Sequence, residues 1–326
     1  MSNVVSKPVR VIRAAHLGMC FGVRDAIALA LEHSKPEPIT ILGELVHNST
    51  VLDHLRSQGV HIEHQLTNVR TPAVMITAHG ASQTTMNRVR ERGLNIVEAT
   101  CPLVHYAHRA VSRLVQDGYY PIIIGKRDHV EVRGLTEDLA EFSVVLTEDD
   151  VANLPIRVRY GIASQTTQPI DRVRYLVDLI GQRFPDCQIR FADTVCQPTK
   201  QRQNAAAALA RQSDVVIVVG GANSNNTREL VNTCCQFCPR VHHVQGPTDL
   251  RQEWFDGVET IGLTAGTSTP DPVIDAVEAW LNSFSHRFNT QPTHSHEENK
   301  LGLDPQHSMH SPGDTVLHGG DLLHGV

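Results

Sequence analysis

The sequence predicts an α/β fold of three lobes related by a pseudo-threefold axis, in a trefoil-like arrangement with mostly parallel sheets. Two observations lead to this prediction. First, three segments of the 326-residue chain repeat the order strand, cysteine, helix. Second, each repeat continues with two apolar strands that run into polar loops, and strands alternating with helices are typical of βαβ crossovers and parallel sheets. The predicted lobes cover residues 9–101, 102–195 and 196–285, followed by a tail at 286–326.

Each repeat begins with a strand-like stretch that a cysteine follows directly. The stretches are residues 9–19, 94–100 and 189–195, and the cysteines are Cys20, Cys101 and Cys196. Behind each cysteine the sequence has helical character, in residues 23–33, 103–117 and 199–212. If the lobes pack around a common axis, the three cysteines become neighbours in space although 81 and 95 residues separate them along the chain.

The strand after each helix ends in a polar loop at nearly constant distance from the cysteine. The distances are 27, 28 and 28 residues, to His47, His129 and Ser224. The same loops also contain Glu131, Asn225 and Asn226. A further strand in each repeat leads to a second polar loop, with His79, Thr166 and Ser268. Because ligands bind beyond the carboxyl ends of strands in open α/β sheets, we expect these side chains to surround one site.

Composition and charge exclude several classes of protein. The chain has 29 Lys and Arg against 35 Asp and Glu, and the net charge of −6 argues against a nucleic-acid surface. Its apolar runs are far shorter than the roughly 20 residues of a membrane span, and the N-terminus lacks an apolar signal segment. Seven cysteines, an odd number, fit a reducing compartment better than a disulfide framework. We therefore expect a cytoplasmic protein without nucleic-acid or membrane partners.

Three converging thiols without a fourth are typical of a metal centre that keeps one coordination position open. Two such centres fit: a catalytic zinc with mixed ligands, or a 4Fe–4S cluster whose fourth iron lacks a protein ligand. The helix N-terminus beside each cysteine stabilises a thiolate in either case. The alternative is three unrelated buried cysteines, which behave as small hydrophobes, and the threefold repeat of their context disfavours it.

The polar loops contain few Lys or Arg and many His, Ser, Thr and Asn residues. This composition predicts an anion site made from imidazoles, hydroxyls, amides and helix N-termini. The glycine motifs of nucleotide-binding loops are absent from the sequence. Glu131 lies two residues after His129 and is the natural general acid of the set.

Nine short elements carry a resemblance to a known family. In order, they are GMCFGV, ELVHN, TAHG, EATCPLV, HVEVRG, SQTT, VCQPTKQRQ, NSNNT and TAGTSTPD. Over roughly residues 9–285 they resemble the IspH/LytB family of 4-hydroxy-3-methylbut-2-enyl diphosphate reductases. The resemblance implies three α/β lobes around a central 4Fe–4S cluster held by Cys20, Cys101 and Cys196. It also implies an oxidoreductase of the non-mevalonate pathway of isoprene biosynthesis, whose last step reductively dehydroxylates this substrate to isopentenyl and dimethylallyl diphosphates.

The resemblance also implies roles for the polar residues. Glu131 resembles the proton donor, assisted by Thr166 and His129, which also contact substrate. The diphosphate clamp is implied at His47, His79, Ser224, Asn226 and Ser268, with Asn225 beside them. The implied partners are a small allylic diphosphate and a ferredoxin- or flavodoxin-type electron donor.

Several positions depart from the family pattern and indicate a divergent member. Residues 15–18 replace the usual lead-in, Phe21 follows Cys20 where a small residue is usual, and Asn225 stands where Ser is usual. Gln197 and Pro198 also replace an aromatic and a small residue after Cys196. We expect Phe21 to narrow the cavity or to shield the cluster. These departures keep two alternatives open: a paralogue that acts as a redox sensor or diphosphate-binding protein, and a cluster-dependent dehydratase.

Two further features stand outside the predicted site. Cys234, Cys235 and Cys238 form a C-C-x-x-C pattern, interpreted as a packed helix face rather than a redox or zinc element completed by His242 and His243. Seven of the 19 histidines fall in residues 286–326, where composition predicts a disordered extension, with metal storage or iron delivery as the alternative.

Overall fold

The structure is a computed structural model that describes residues 9–290, with side chains described through Phe284. Its core consists of three four-stranded sheets in which every strand pair is parallel. The strands are β1 (Arg10–Arg13), β2 (Ile39–Leu42), β3 (His61–Glu63), β4 (Ala73–Ile76), β5 (Asn95–Glu98), β6 (Tyr120–Ile124), β7 (Ser143–Val145), β8 (Arg159–Ser164), β9 (Gln188–Phe191), β10 (Val215–Val219), β11 (Val241–Val244) and β12 (Thr260–Ala265). The predicted fold class, three α/β lobes with parallel sheets, is confirmed.

Helices connect the strands as the βαβ pattern requires. They are α1 (Phe21–His33), α2 (Ser49–Ser57), α3 (Gln83–Glu91), α4 (Pro102–Gln116), α5 (Val130–Thr136), α6 (Glu148–Ala152), α7 (Ile170–Arg183), α8 (Gln197–Ala210), α9 (Asn225–Cys235) and α10 (Asp271–Thr290). None of the helices within residues 9–290 is long and apolar enough to cross a membrane.

The three sheets have equivalent strand orders. They are β3-β2-β4-β5, β7-β6-β8-β9 and β11-β10-β12-β1. The inner strands are almost wholly buried, as in β4 and β10, because helices cover both faces of a parallel sheet. The edge strands β1, β5 and β9 share a pattern of exposed and half-buried residues instead. Each of these three edge strands is the one that precedes a cysteine.

The first strand does not belong to the sheet of the lobe in which the sequence places it. The predicted first lobe begins at residue 9, but β1 pairs with β12 in the third sheet, with Arg10 opposite Thr260. The reason is that the strand before each cysteine pairs with the sheet of another repeat, so the three repeats form a closed cycle. β5 and β9 each close the sheet that precedes them, and β1 supplies the corresponding strand to the third sheet.

Two other expectations concern the third lobe. Cys234 and Cys238 are buried in an apolar cluster with Leu209 of α8, whereas Cys235 is exposed. The predicted tail begins at residue 286, but residues 286–290 belong to α10, which runs to Thr290. Between Pro272 and Pro292 the sequence contains no Gly or Pro that would interrupt the helix, and the residue before a proline disfavours helix. Residues 291–326 lie outside the described residues.

Candidate active site

Every residue that the sequence predicts for the site lines one cavity. Its lining includes Cys20, Cys101, Cys196, His47, His79, His129, Glu131, Thr166, Ser224, Asn225, Asn226 and Ser268. The cavity between these side chains has a volume of about 90 Å³. All twelve are brought together because they follow the carboxyl ends of parallel strands.

The three cysteines occupy equivalent positions. Each is the N-cap residue of a helix, at the start of α1, α4 and α8. Each also donates its backbone N–H to a carbonyl in the second polar loop of a lobe: Cys20 to Thr267 (3.2 Å), Cys101 to Ala78 (3.1 Å) and Cys196 to Thr166 (3.0 Å). These bonds fix all three thiol-bearing residues against the loops that carry the polar side chains.

The thiol set fits a bound metal centre. Burial raises the pKa of Cys101, and it raises that of Cys196 to about 11, although hydrogen bonds with Thr199 oppose this effect. Without a metal these thiols hold their protons, and metal binding releases them. Gly22 leaves room for the Cys101 thiol, because a Cβ there would lie 2.5 Å from Cys101 Sγ. Three sulfur donors in one cavity, with no fourth sulfur among its lining residues, fit a cluster that keeps one iron open.

Glu131 lies at the first turn of α5 and is 1% exposed. Its Oε1 accepts from the Thr166 backbone N–H (2.6 Å), and its Oε2 accepts from Thr166 Oγ1 (3.1 Å). Burial raises the pKa of Glu131 to about 7, although both hydrogen bonds from Thr166 act in the other direction. The carboxyl group is therefore half-protonated near neutral pH, which suits a proton donor.

Three histidines of the lining form a compact group. The ring centroids of His47 and His79 are 4.6 Å apart, and His129 lies 5.2 and 5.5 Å from them. Their ligand atoms lie within 4.8 Å of one another, a spacing that also suits a metal ion. Burial is the main cause that lowers the pKa of His129 to about 3 and holds the pKa of His79 well below its usual range.

The hydrogen bonds of the rings favour an anion over a metal ion. His129 Nδ1 accepts from the Glu131 backbone N–H (3.2 Å), so the proton of the neutral ring is on Nε2, which becomes a donor rather than a ligand. His47 Nδ1 donates to Glu44 Oε2 (2.9 Å), so a carboxylate holds this ring in place.

Further donors in the cavity are free of partners within residues 9–290. Buried atoms without a hydrogen bond include His79 Nδ1, Asn226 Nδ2 and Ser268 Oγ. Asn226 Oδ1 accepts from Thr267 N–H (3.0 Å), so its amide nitrogen is the atom left over. Buried polar groups normally have partners, and a cluster of unpaired donors indicates a polar ligand.

The positions that depart from the family pattern affect the cavity less than the sequence suggests. Phe21 is 46% exposed and is not among the lining residues, so the expectation that it narrows the cavity is wrong. Phe21 is the first residue of α1, directly after Cys20, and nearly half of its surface remains exposed there. Asn225 does line the cavity, but its Nδ2 donates to Thr167 Oγ1 (3.2 Å).

The polar lining residues that the sequence did not predict include Thr199 and Thr267. Thr199 Oγ1 accepts from the Cys196 thiol (3.0 Å), and Thr267 binds both Asn226 and the backbone of Cys20. The only feature of the sequence that marks these two residues is that each lies close to a predicted site residue: Thr199 lies three residues after Cys196, and Thr267 precedes Ser268.

Known proteins resemble this chain over most of its length. A family model described as LytB protein matches residues 11–282. A 4-hydroxy-3-methylbut-2-enyl diphosphate reductase of Trichlorobacter lovleyi is 36% identical over 280 residues, 85% of this chain and 99% of the relative. A protein of the same name from Pelobacter propionicus is 37% identical over 281 residues, 86% of this chain and all of the relative (100%).

Two solved structures are also similar. One is (E)-4-hydroxy-3-methyl-but-2-enyl diphosphate reductase, the terminal enzyme of the non-mevalonate pathway, with a TM-score of 0.62 and 33% identity; the match covers 84% of this chain and 99% of that one. The other is the E-1-hydroxy-2-methyl-but-2-enyl-4-diphosphate reductase from Plasmodium falciparum, with a TM-score of 0.77 and 27% identity, covering 85% and 88%.

Proposed function

The chain belongs to the LytB protein family, and from this premise we propose that it is a 4-hydroxy-3-methylbut-2-enyl diphosphate reductase. The reaction takes up two electrons and two protons, breaks the bond between the allylic carbon and the hydroxyl oxygen, and releases water. Its products are isopentenyl and dimethylallyl diphosphates, and it is the terminal step of the non-mevalonate pathway. The observation that carries the proposal is the single cavity shared by three N-cap cysteines, a buried carboxyl group and a cluster of unpaired polar donors.

The metal centre of this proposal is one 4Fe–4S cluster on Cys20, Cys101 and Cys196. When bound, this group supplies the electrons and an open iron as Lewis acid for the substrate hydroxyl. The protein contributes three thiols at equivalent helix N-termini and, at Gly22, the space beside Cys101. A ferredoxin- or flavodoxin-type protein is the proposed electron donor, and the cytoplasm the proposed location.

The proposed diphosphate clamp uses neutral donors rather than lysines or arginines. His79, Asn226 and Ser268 have buried polar atoms without partners in the described residues, and His129 presents its Nε2–H. His47, held by Glu44, lies beside His79 and His129 in the same group of rings. Ser224 lines the same part of the cavity at the N-terminus of α9, whose dipole also favours an anion.

Glu131 is the proposed proton donor, and Thr166 is its positioning partner. Two hydrogen bonds from Thr166 hold both carboxyl oxygens, and burial keeps the proton on the group up to about neutral pH. Val23, Val46, Leu103 and Val104 form an apolar part of the lining that suits the hydrocarbon portion of an allylic diphosphate and helps to exclude water.

The test is anaerobic reconstitution followed by turnover of 4-hydroxy-3-methylbut-2-enyl diphosphate with reduced methyl viologen. We expect about four irons per chain, visible absorption typical of a cysteine-ligated cluster, and both C5 diphosphates as products. Conversion of substrate without any reductant would instead indicate a dehydratase. A reconstituted chain that binds the diphosphate but gives no product, and does not complement a strain lacking the reductase, would indicate a sensor or binding protein.

A further inference from the structure

Arg202 is a buried cation with no role in the site described above. It lies on α8, six residues after Cys196, within the element VCQPTKQRQ, and it is 7% exposed. Arginine side chains are almost never this buried unless they are paired, because desolvation of an isolated charge costs several kcal/mol.

The partners of Arg202 are backbone carbonyls rather than carboxylates. Its Nε–H donates to the carbonyl of Gly18 (2.9 Å), and its Nη1 donates to that of Pro198 (3.1 Å). Within residues 9–284 no Asp or Glu forms an ion pair with it. The two carbonyl groups satisfy hydrogen bonds but leave the positive charge without a counter-charge.

The counter-charges available to Arg202 are the thiolates that Cys20 and Cys196 form when a metal binds. The pKa of Arg202 is lowered by burial, and the interactions that oppose this effect are those with Cys20 and Cys196. Arg24, the other cation that acts on Arg202, faces outward in an ion pair with Asp271 (2.9 Å). The hydrogen bonds of Arg202 join it to Gly18, two residues before Cys20, and to Pro198, two residues after Cys196.

We propose that Arg202 is a positioning residue that supplies the counter-charge to the Cys20 and Cys196 thiolates and thereby sets the reduction potential of the metal centre. The inference rests on the proposed 4Fe–4S cluster. A fixed positive charge in a poorly hydrated interior stabilises the more negative, reduced state of a neighbouring group. The bond to Gly18 also ties α8 to the turn that leads into Cys20, so one side chain orients two ligand-bearing segments.

Three variants separate charge from structure. Arg202→Gln removes the charge but keeps an N–H donor, and Arg202→Lys keeps the charge but loses the planar fork. Arg172→Gln is the control, since exposed Arg172 also donates to a backbone carbonyl, that of Leu146, but this carbonyl is not in a segment next to a cysteine of the site. After anaerobic reconstitution, each variant is measured for iron content, for the midpoint potential by redox titration followed by electron paramagnetic resonance, and for thermal unfolding.

For Arg202→Gln we expect the ratio of reduced to oxidised cluster at a fixed potential to fall at least tenfold. For a one-electron couple this corresponds to a shift of the midpoint potential by about 59 mV toward more negative values. Arg202→Lys should change the ratio less than threefold, and Arg172→Gln should not change it. If Arg202→Gln fails to load iron, loading of Arg202→Lys with a wild-type potential supports the inference.

Three results would overturn the inference about Arg202. An iron-loaded Arg202→Gln with the wild-type potential shows that the charge does not act on the cluster. Equal failure of the Lys and Gln variants to load iron shows that shape, not charge, is required. Absence of iron from the wild-type chain removes the proposed function itself, and this outcome is distinguished from the others by the iron assay on the unmodified protein.

Discussion

Replacement of Glu131 by Gln should make the chain less active and, above neutral pH, more stable. The side chain is 1% exposed and its pKa is raised to about 7 from an ordinary 4.5. Between these two pH values the unfolded chain has released a proton that the folded chain still holds. Stability is therefore lost as the pH rises through this window, and the loss is complete above pH 7.

The size of the effect follows from the same numbers. The difference between the two pKa values corresponds to roughly 3 kcal/mol in the free energy of unfolding. Gln carries no charge at any pH, and its side-chain oxygen can still accept from the Thr166 N–H while the Thr166 hydroxyl turns to accept from the amide. Relative to wild type, Glu131→Gln should thus gain up to about 3 kcal/mol between pH 5 and pH 8.

The turnover rate of Glu131→Gln should fall, whereas its stability should rise. Loss of a general acid costs roughly 10²- to 10⁴-fold in rate, and kcat of the wild type should fall as the pH rises through about 7. Urea unfolding of the iron-free chain at pH 5 and pH 8 measures the stability, and methyl viologen-driven turnover of the reconstituted protein measures the rate. Glu91→Gln, an exposed change at the end of α3, is the control.

Two separate results would contradict the prediction for Glu131→Gln. A stability difference between variant and wild type that is the same at pH 5 and pH 8 would show that the carboxyl group is not held protonated by burial. Turnover within threefold of wild type, with iron content intact, would remove Glu131 from the role of proton donor.

Three other predictions concern the metal centre and the anion site. Cys196→Ser should lose most of its iron on reconstitution, whereas exposed Cys235→Ser should retain it; equal iron contents would contradict the ligand assignment. Gly22→Ala should also load less iron, because its Cβ would meet Cys101 Sγ at 2.5 Å, while Gly181→Ala, whose Cβ has only a distant contact at 3.9 Å, should load normally. Ser268→Ala should raise KM for the diphosphate about tenfold without lowering stability, since its buried hydroxyl has no partner within the described chain; an unchanged KM would exclude it from the clamp.

The sequence was informative where the repeat itself specifies geometry. His129 and Thr166 could be assigned to one site because they follow neighbouring parallel strands, whose carboxyl ends meet at one edge of a sheet whatever the details of packing. The near-equal distance from each cysteine to its polar loop indicated that the three copies are superimposable, and the equivalent strand orders bear this out.

Other features depend on contacts that no local pattern encodes. A cyclic repeat has no intrinsic starting point, so the sequence alone does not say that β1 completes the sheet of β12. Burial of Arg202 and exposure of Phe21 are likewise set by tertiary packing: one side chain lies between two distant segments, and the other is at the outer start of α1. The raised pKa of Glu131 also follows from enclosure, which residue type does not reveal.

The pairing of β1 with β12 has a consequence for the order in which the protein assembles. Arg10 and Thr260 are partners although about 250 residues separate them. During synthesis at roughly 5–20 residues per second, β1 therefore waits on the order of ten to fifty seconds for its neighbour. The first cysteine-bearing turn leaves the ribosome early but takes up its position last, because Cys20 is held by Thr267, just beyond β12. The N-terminal cysteine therefore reaches its place in the cavity only after the last strand of the third sheet has been synthesised.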